Sequence, residues 1–298
     1  MKTKAYIRLL RISQWTKNVF VLLPMFFGGK IGDPDIYTHS LFAFLAFCFC
    51  ASGIYCLNDI VDMEADRLHP VKHQRPVASG DISKKGAYIC MAVCLMLSFS
   101  LTALAFHDST ERMMYVMGVL AVYIVMNVAY SLWLKHISVI DVFVIATGFV
   151  LRVVTGGLAT GVILSHWIVL MTFLLALFLA FAKRRNDYFL QESGGPDIRK
   201  SLKGYSSQFL DQMTVMTAGM TIVCYILYTV SPDVTSRFHN NHVYLTTVFV
   251  VAGIVRYLQL TMVLNKSGSP TQVLLKDRFT HIVVLGWILS FAVIIYAS

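Results

Sequence analysis

Asn58-Asp59-Ile60-Val61-Asp62-Met63-Glu64-Ala65-Asp66 is the stretch on which the reading of this chain turns. It continues the apolar run 40–57 without a break, so an acidic helix end grows out of a segment long enough to cross hydrocarbon. Side chains four apart stack on one helix face. Asn58, Asp62 and Asp66 therefore share a stripe, with Asp59 on its shoulder. Like charges so spaced repel, and at a membrane boundary they persist where a cation neutralises them. Oxygen donors with neither His nor Cys beside them select a hard ion. Magnesium takes one or two carboxylates together with water and substrate phosphate, and is the expected cofactor. Asn58, Asp59, Asp62 and Asp66 are thus the expected metal ligands, and the three aspartates the expected catalytic acids. Arg67, Lys72 and Arg75 follow closely, as a site joining a metal to phosphate requires.

Outward from this stretch the chain is apolar. Of 298 residues, 57% are hydrophobic and 14% charged, with a mean hydropathy of +0.66; a soluble domain carries about a quarter charged. Apolar runs at 19–28, 40–57, 87–106, 113–134, 137–160, 166–182, 212–230, 243–264 and 279–296 predict nine membrane helices. The expected fold is an all-α integral membrane bundle, a single transmembrane catalytic domain over 1–298. No cleavable signal peptide follows the first run, because small-residue cleavage chemistry is missing there. The six cysteines sit in apolar runs without a CxxC pair and read as packed hydrophobes.

The formal charge of +9 is distributed unevenly. Twenty of the 25 Lys and Arg fall before the first run or in alternate connections, and only Lys30, Arg112 and Arg237 in the opposite loops. By the positive-inside rule the amino terminus and the long basic loops face the cytoplasm, in the inner membrane. The same face holds most of the acids, which predicts a cytoplasmic-facing polar cavity for a metal and an anionic ligand. Membrane lipids are expected neighbours, nucleic acid is not an expected partner, and self-association is left open.

Asn58–Asp66 reads NDxxDxxxD and runs on into Arg67-Leu68-His69-Pro70 and Arg75-Pro76-Val77-Ala78-Ser79-Gly80. This resembles the first aspartate-rich motif of the UbiA-type intramembrane prenyltransferases and its continuation. Members that transfer a prenyl group from its diphosphate have a second DxxxD motif between the sixth and seventh helices. Here Asp187 is followed four places later by Gln191, Asp197 by Ser201 and Asp211 by Val215. Lys183-Arg184-Arg185-Asn186-Asp187 stands there instead, then Arg199-Lys200 and Tyr205, with Gln14-Trp15 and Lys17-Asn18 near the start and Tyr130-Ser131 and Lys135 before the fifth helix. Together these are similar to the decaprenyl-phosphate phosphoribosyltransferase branch, with Asp187 where the branch has Glu. The resemblance implies a UbiA-like bundle that transfers phosphoribose from phosphoribosyl diphosphate to a polyprenyl phosphate. It places Lys17, Asn18, Tyr130, Lys183, Arg184, Asp187, Arg199, Lys200 and Tyr205 near substrate.

The residues suit that chemistry on their own terms. A donor with a diphosphate and a separate 5-phosphate needs a metal at one end and cations at the other. Lys17, Lys72, Arg75, Lys135, Lys183, Arg184, Arg199 and Lys200 are the pool, arginine being the better bidentate partner. Arg152 lies eleven residues after Asp141, about 16 Å along a helix and hence in mid-membrane. It is read equally as a structural pair or as a ligand contact. Two other functions remain open from sequence: prenyl transfer to an aromatic or other acceptor, and transport of an anionic or lipid-linked solute. The missing second DxxxD disfavours the first, and the missing inverted repeat the second.

Overall fold

The structure is a computed structural model and describes residues 2–28, 33–193, 200–238, 241–264 and 276–296. Among these every regular element is helical. Seven stretches are long and apolar enough to cross a membrane, and Arg278–Ile294 is a shorter apolar helix. The chain divides into two compact units, residues 1–135 with 148–164 and residues 136–147 with 165–298.

In the first unit α1 (Lys2–Leu10) leads into a 3-10 helix, Ile12–Leu22, and then the five-residue α2 (Leu23–Phe27). Here the structure departs from the expected first span over 19–28. Pro24 has no N–H with which to continue a ladder from Phe20, so no single α-helix passes through this run. A 3-10 helix repeats every three residues. Trp15, Asn18 and Val21 accordingly line one face, and Gln14 and Lys17 another. The first face lies along α3 (Pro34–Val61): Trp15 Nε1 donates to Ser52 Oγ at 3.0 Å and Asn18 Nδ2 to Cys48 Sγ at 3.1 Å. Its other side meets α7 (Ile140–Thr160) at Gly156, where a Cβ would stand 1.9 Å from the Val21 carbonyl oxygen, so no larger residue fits.

Asp33 starts α3 by accepting from the Asp35 N–H, with Pro34 at the first turn. The α3 helix is the most buried of the spans. It packs through Phe47, Cys50, Ala51 and Ile54 against α6 (Thr110–Leu132) and through Gly53 and Cys56 against α5 (Lys84–Ala105). After α3 come the short α4 (Met63–Arg67) and a connection ending at Gly80, whose φ of +84° only glycine adopts without strain.

The second unit contains the first residues of α7, then α8 (His166–Glu192), a 3-10 turn at Lys200–Gly204, α9 (Ser207–Thr229), α10 (Pro232–Phe238), α11 (Thr247–Leu258) and α12 (Arg278–Tyr296). Phe178 and Ala182 of α8 bury against Ala218 of α9 and against Ile254 and Tyr257 of α11. Thr214 and Thr221 donate to their own helix carbonyls four residues back, so hydroxyls that hydrocarbon cannot solvate stay satisfied.

Candidate active site at the acidic turn

The α3 helix ends at Val61, yet Asp62 N still donates to Asn58 O at 2.9 Å and Asp66 N to Asp62 O at 2.8 Å. The side chains therefore keep helical spacing through the junction, but they do not gather on one stripe. Asn58 and Asp62 point to the end of α6, where Ser131 Oγ donates to Asn58 Oδ1 at 2.6 Å and Lys135 pairs with Asp62. Asp59 and Asp66, seven apart and thus two turns removed on one face, are both buried and share a single atom: Arg75 Nη1 lies 2.6 Å from Asp66 Oδ2 and 3.5 Å from Asp59 Oδ1. Arg11 adds a second guanidinium to Asp59 and stacks on Tyr55. Three carboxylates are thus balanced by three cations, as buried charge demands.

Arg11 has φ +49°, a left-handed conformation uncommon for any residue but glycine, where α1 turns into the 3-10 helix. That turn aims it at Asp59. Beside the pair opens a cavity of about 590 Å³ lined by Arg8, Arg11, Gln14, Lys72 and Arg75 around Asp59.

The connection that supplies Lys72 and Arg75 is organised by His69, whose Nδ1 accepts the backbone N–H of Val71 at 3.1 Å and of Lys72 at 3.3 Å. Burial holds this imidazole below its usual range. The folded pKa lies below the unfolded value of about 6.5, so the stability it contributes is present above that pH and is lost as pH falls through it. We expect the apparent affinity for an anionic substrate to weaken on the acid side, as pH falls through the lowered folded pKa of this imidazole. His69→Asn, whose amide oxygen accepts without titrating, should flatten that acid limb in a KM profile from pH 5 to 8. An unchanged limb would remove His69 from the explanation.

Among the described residues no three His, Cys, Asp or Glu side chains converge as a ready metal cage. The residues nevertheless fit magnesium: the donors are all oxygen, and two buried carboxylates already surround one cationic atom, which matches the one or two carboxylates this ion takes from protein.

In the second unit the basic segment is built differently. Arg184, 1% exposed, donates from Nε to Asp141 Oδ2 at 2.6 Å and from Nη1 to Asp187 Oδ2 at 3.3 Å. Asp141 also accepts from Ser201 Oγ at 3.1 Å and from the Tyr205 hydroxyl at 2.9 Å. Burial pushes the Tyr205 phenol above its usual range, so it stays neutral, donating to Asp141 while accepting from the Val139 N–H at 2.7 Å. Arg184 Nη2 is buried without a hydrogen-bond partner among the described residues. Lys183 is half-buried with partners of its own, Lys200 is exposed, and Arg199 lies outside the described residues. Tyr130 and Lys72 are half-buried and engaged.

Sequence reading missed Arg11, Ser131, Asp141 and Ser201 as members of these clusters. Their partners stand 43 to 73 residues away, and no local spacing signals such a contact.

The model of the UbiA prenyltransferase family matches residues 18–276. The chain is 35% identical to the decaprenyl-phosphate phosphoribosyltransferase of Mycolicibacterium smegmatis over 98% of its own length and 92% of the relative's. It is 33% identical to the protein of the same name from Corynebacterium glutamicum, over 97% and 86%. Among solved structures, a UbiA homologue from Archaeoglobus fulgidus bound to DMAPP and Mg2+ superposes with a TM-score of 0.70 at 19% identity, covering 98% of this chain and 99% of that one.

Proposed function

The chain belongs to the UbiA prenyltransferase family, a multi-pass membrane family, and from that premise we propose that it transfers 5-phosphoribose from phosphoribosyl diphosphate to a polyprenyl phosphate. Diphosphate is the other product. The observation that carries this reading is the buried Asp59–Asp66 pair at a cation-lined cavity, in a chain similar along nearly its whole length to phosphoribosyltransferases of lipid phosphates.

Asn58, Asp59, Asp62 and Asp66 would hold magnesium, which neutralises charge on the diphosphate as it leaves. Lys72, Arg75 and Lys135 would clamp donor phosphates, Arg75 and Lys135 exchanging the aspartates they now pair with for phosphate oxygens. Lys17, Asn18, Tyr130 and Arg152 contact substrate, and in the second unit Lys183, Arg199 and Lys200 carry phosphate contacts of their own, while Arg184, Asp187 and Tyr205, bonded among themselves and to Asp141, position that segment. In the reaction an acceptor phosphate oxygen forms a bond to the anomeric carbon while the bond to diphosphate breaks and its electron pair leaves with that group. The nucleophile is already anionic at neutral pH, so alignment and charge neutralisation supply the catalysis and no general base is required. Attack opposite the leaving group inverts the anomeric centre.

We further place nine crossings in one catalytic domain of the inner membrane, with the amino terminus and the acidic turn on the cytoplasmic side. The 20-to-3 asymmetry of cations supports this.

Purified protein with magnesium, phosphoribosyl diphosphate and a polyprenyl phosphate is expected to yield a lipid-linked phosphoribose, identified by mass. Chelation should stop the reaction and added magnesium restore it. Consumption of a prenyl diphosphate to alkylate an acceptor, with no phosphoribosyl lipid formed, would overturn the assignment in favour of prenyl transfer.

A further inference from the structure

Three arginines in the described residues are fully buried, and two of them have acids: Arg184 pairs with Asp141 and Asp187, and Arg185 with Asp211. The third, Arg152, is 5% exposed and has none among the described residues. Its Nε donates to Asn18 Oδ1 at 2.8 Å, its Nη1 to Gly148 O at 2.7 Å and its Nη2 to the Tyr123 hydroxyl at 3.2 Å, all neutral acceptors. The rings of Phe47, Tyr123 and Phe149 lie 4.8 to 5.2 Å from the guanidinium carbon. A guanidinium has five N–H donors, so two remain beyond these three bonds. Lys17, the residue before Asn18, is half-buried and makes no ion pair with a described residue. A buried guanidinium with neutral acceptors alone, and a half-buried ammonium on the neighbouring helix, lack the acids that Arg184 and Arg185 have among the described residues. An anion is the missing partner.

The position of the pair tells which anion. On the 3-10 helix Lys17 follows Gln14 on the same face, and Gln14 lines the cavity beside Asp59. One 3-10 turn rises about 6 Å, so Lys17 lies about that far along the helix from Gln14 and is not among the residues lining the cavity. A soluble donor finds its cations in the cavity itself, at Arg8, Arg11, Lys72 and Arg75, which border water. The Arg152 guanidinium is walled by aromatic rings, an environment a hydrated sugar phosphate enters only by shedding its water. A phosphate that arrives on an isoprenoid chain brings its own apolar surroundings.

Resting on the reaction proposed above, we infer that Lys17 and Arg152, with Asn18 and Tyr123 fixing the guanidinium, are the seat of the acceptor's phosphate monoester. The pair draws the lipid head below the acidic turn and presents its oxygen to the underside of the donor, leaving Asp59 and Asp66 to the diphosphate side. Phosphate is also present on the donor, so the test must separate the two sources.

Steady-state kinetics and binding in nanodiscs do so, using Arg152→Gln and, because that buried site bears on folding, the half-buried Lys17→Gln as a second variant. Each is expected to raise KM for polyprenyl phosphate at least tenfold while KM for phosphoribosyl diphosphate stays within twofold. Farnesyl phosphate, added without donor or magnesium, should raise the melting temperature of the wild type and lose most of that effect in both variants. The binding arm needs no turnover, so it stands apart from the reaction assignment: a protein that makes no phosphoribosyl lipid yet binds farnesyl phosphate through these two residues keeps the seat and loses the reaction. A rise in the donor's KM instead, inorganic phosphate stabilising the protein at the same concentration as farnesyl phosphate, or full stabilisation by farnesyl phosphate in Lys17→Gln would overturn the inference.

Discussion

Asp62→Asn is expected to lower turnover by about three orders of magnitude while leaving the protein folded. Each interaction aimed at charge that develops in a transition state is worth roughly 10²–10³ in rate, and Asp62, as a ligand of the proposed magnesium, would serve that charge. It is also the cleanest of the acids to change. Its side chain is 31% exposed and its ion pair is with Lys135 alone, whereas Asp59 and Asp66 are 2% and 4% exposed and knit Arg11 and Arg75 together. The amide keeps the shape, and its oxygen still accepts a hydrogen bond from Lys135. Thermal melting should therefore be near wild type, and the magnesium concentration for half-maximal residual activity should rise. Wild-type activity in this variant would take Asp62 out of the metal site; loss of activity together with loss of the folded state would leave it structural.

The acidic turn was legible because its information is local. Helical spacing over nine residues shows which acids lie near one another, and the structure keeps that spacing across the end of α3. What spacing does not contain is the direction in which each acid finds its cation. Asn58 and Asp62 turn to α6, and Asp59 and Asp66 to Arg75, because elements distant in sequence supply Ser131, Lys135 and Arg11. The first apolar run shows another limit. Hydropathy alone reads 19–28 as a span, but Pro24 interrupts the backbone ladder and a 3-10 helix replaces it. That change of period places Lys17 on the face of Gln14, and Asn18 on the face that meets α3 and Arg152. The close approach at Gly156 is likewise fixed by the fold, since only a residue without Cβ passes the Val21 carbonyl.

Arg184 is where the second large effect is expected, and it separates two readings that sequence leaves joined. The motif resemblance makes this arginine a phosphate contact; the structure gives it Asp141 and Asp187 and buries it almost completely. Removing one partner of a buried pair strands the other and costs about 3–5 kcal/mol. Arg184→Met leaves Asp141 charged at 0% exposure, still accepting from Ser201 and Tyr205. Asp141→Asn keeps a hydrogen-bond acceptor there but strands the guanidinium, with Asp187 at 3.3 Å as its remaining acid. The double variant should therefore lose less than the sum of the two singles, with a coupling of about 1–3 kcal/mol read from thermal or denaturant unfolding in detergent. Arg184 Nη2, unpartnered among the described residues, keeps the phosphate reading testable in the same series, because its two N–H donors remain for a ligand. If Arg184 acts mainly by contact, Arg184→Met melts like wild type and its donor KM rises while kcat holds. If it acts by holding α8 to the start of α7 and to the Lys200–Gly204 turn, unfolding shifts first and Asp141→Asn reproduces the defect. Given two carboxylates already bonded to the guanidinium and a third side of the network closed by Tyr205, the second outcome is the expected one.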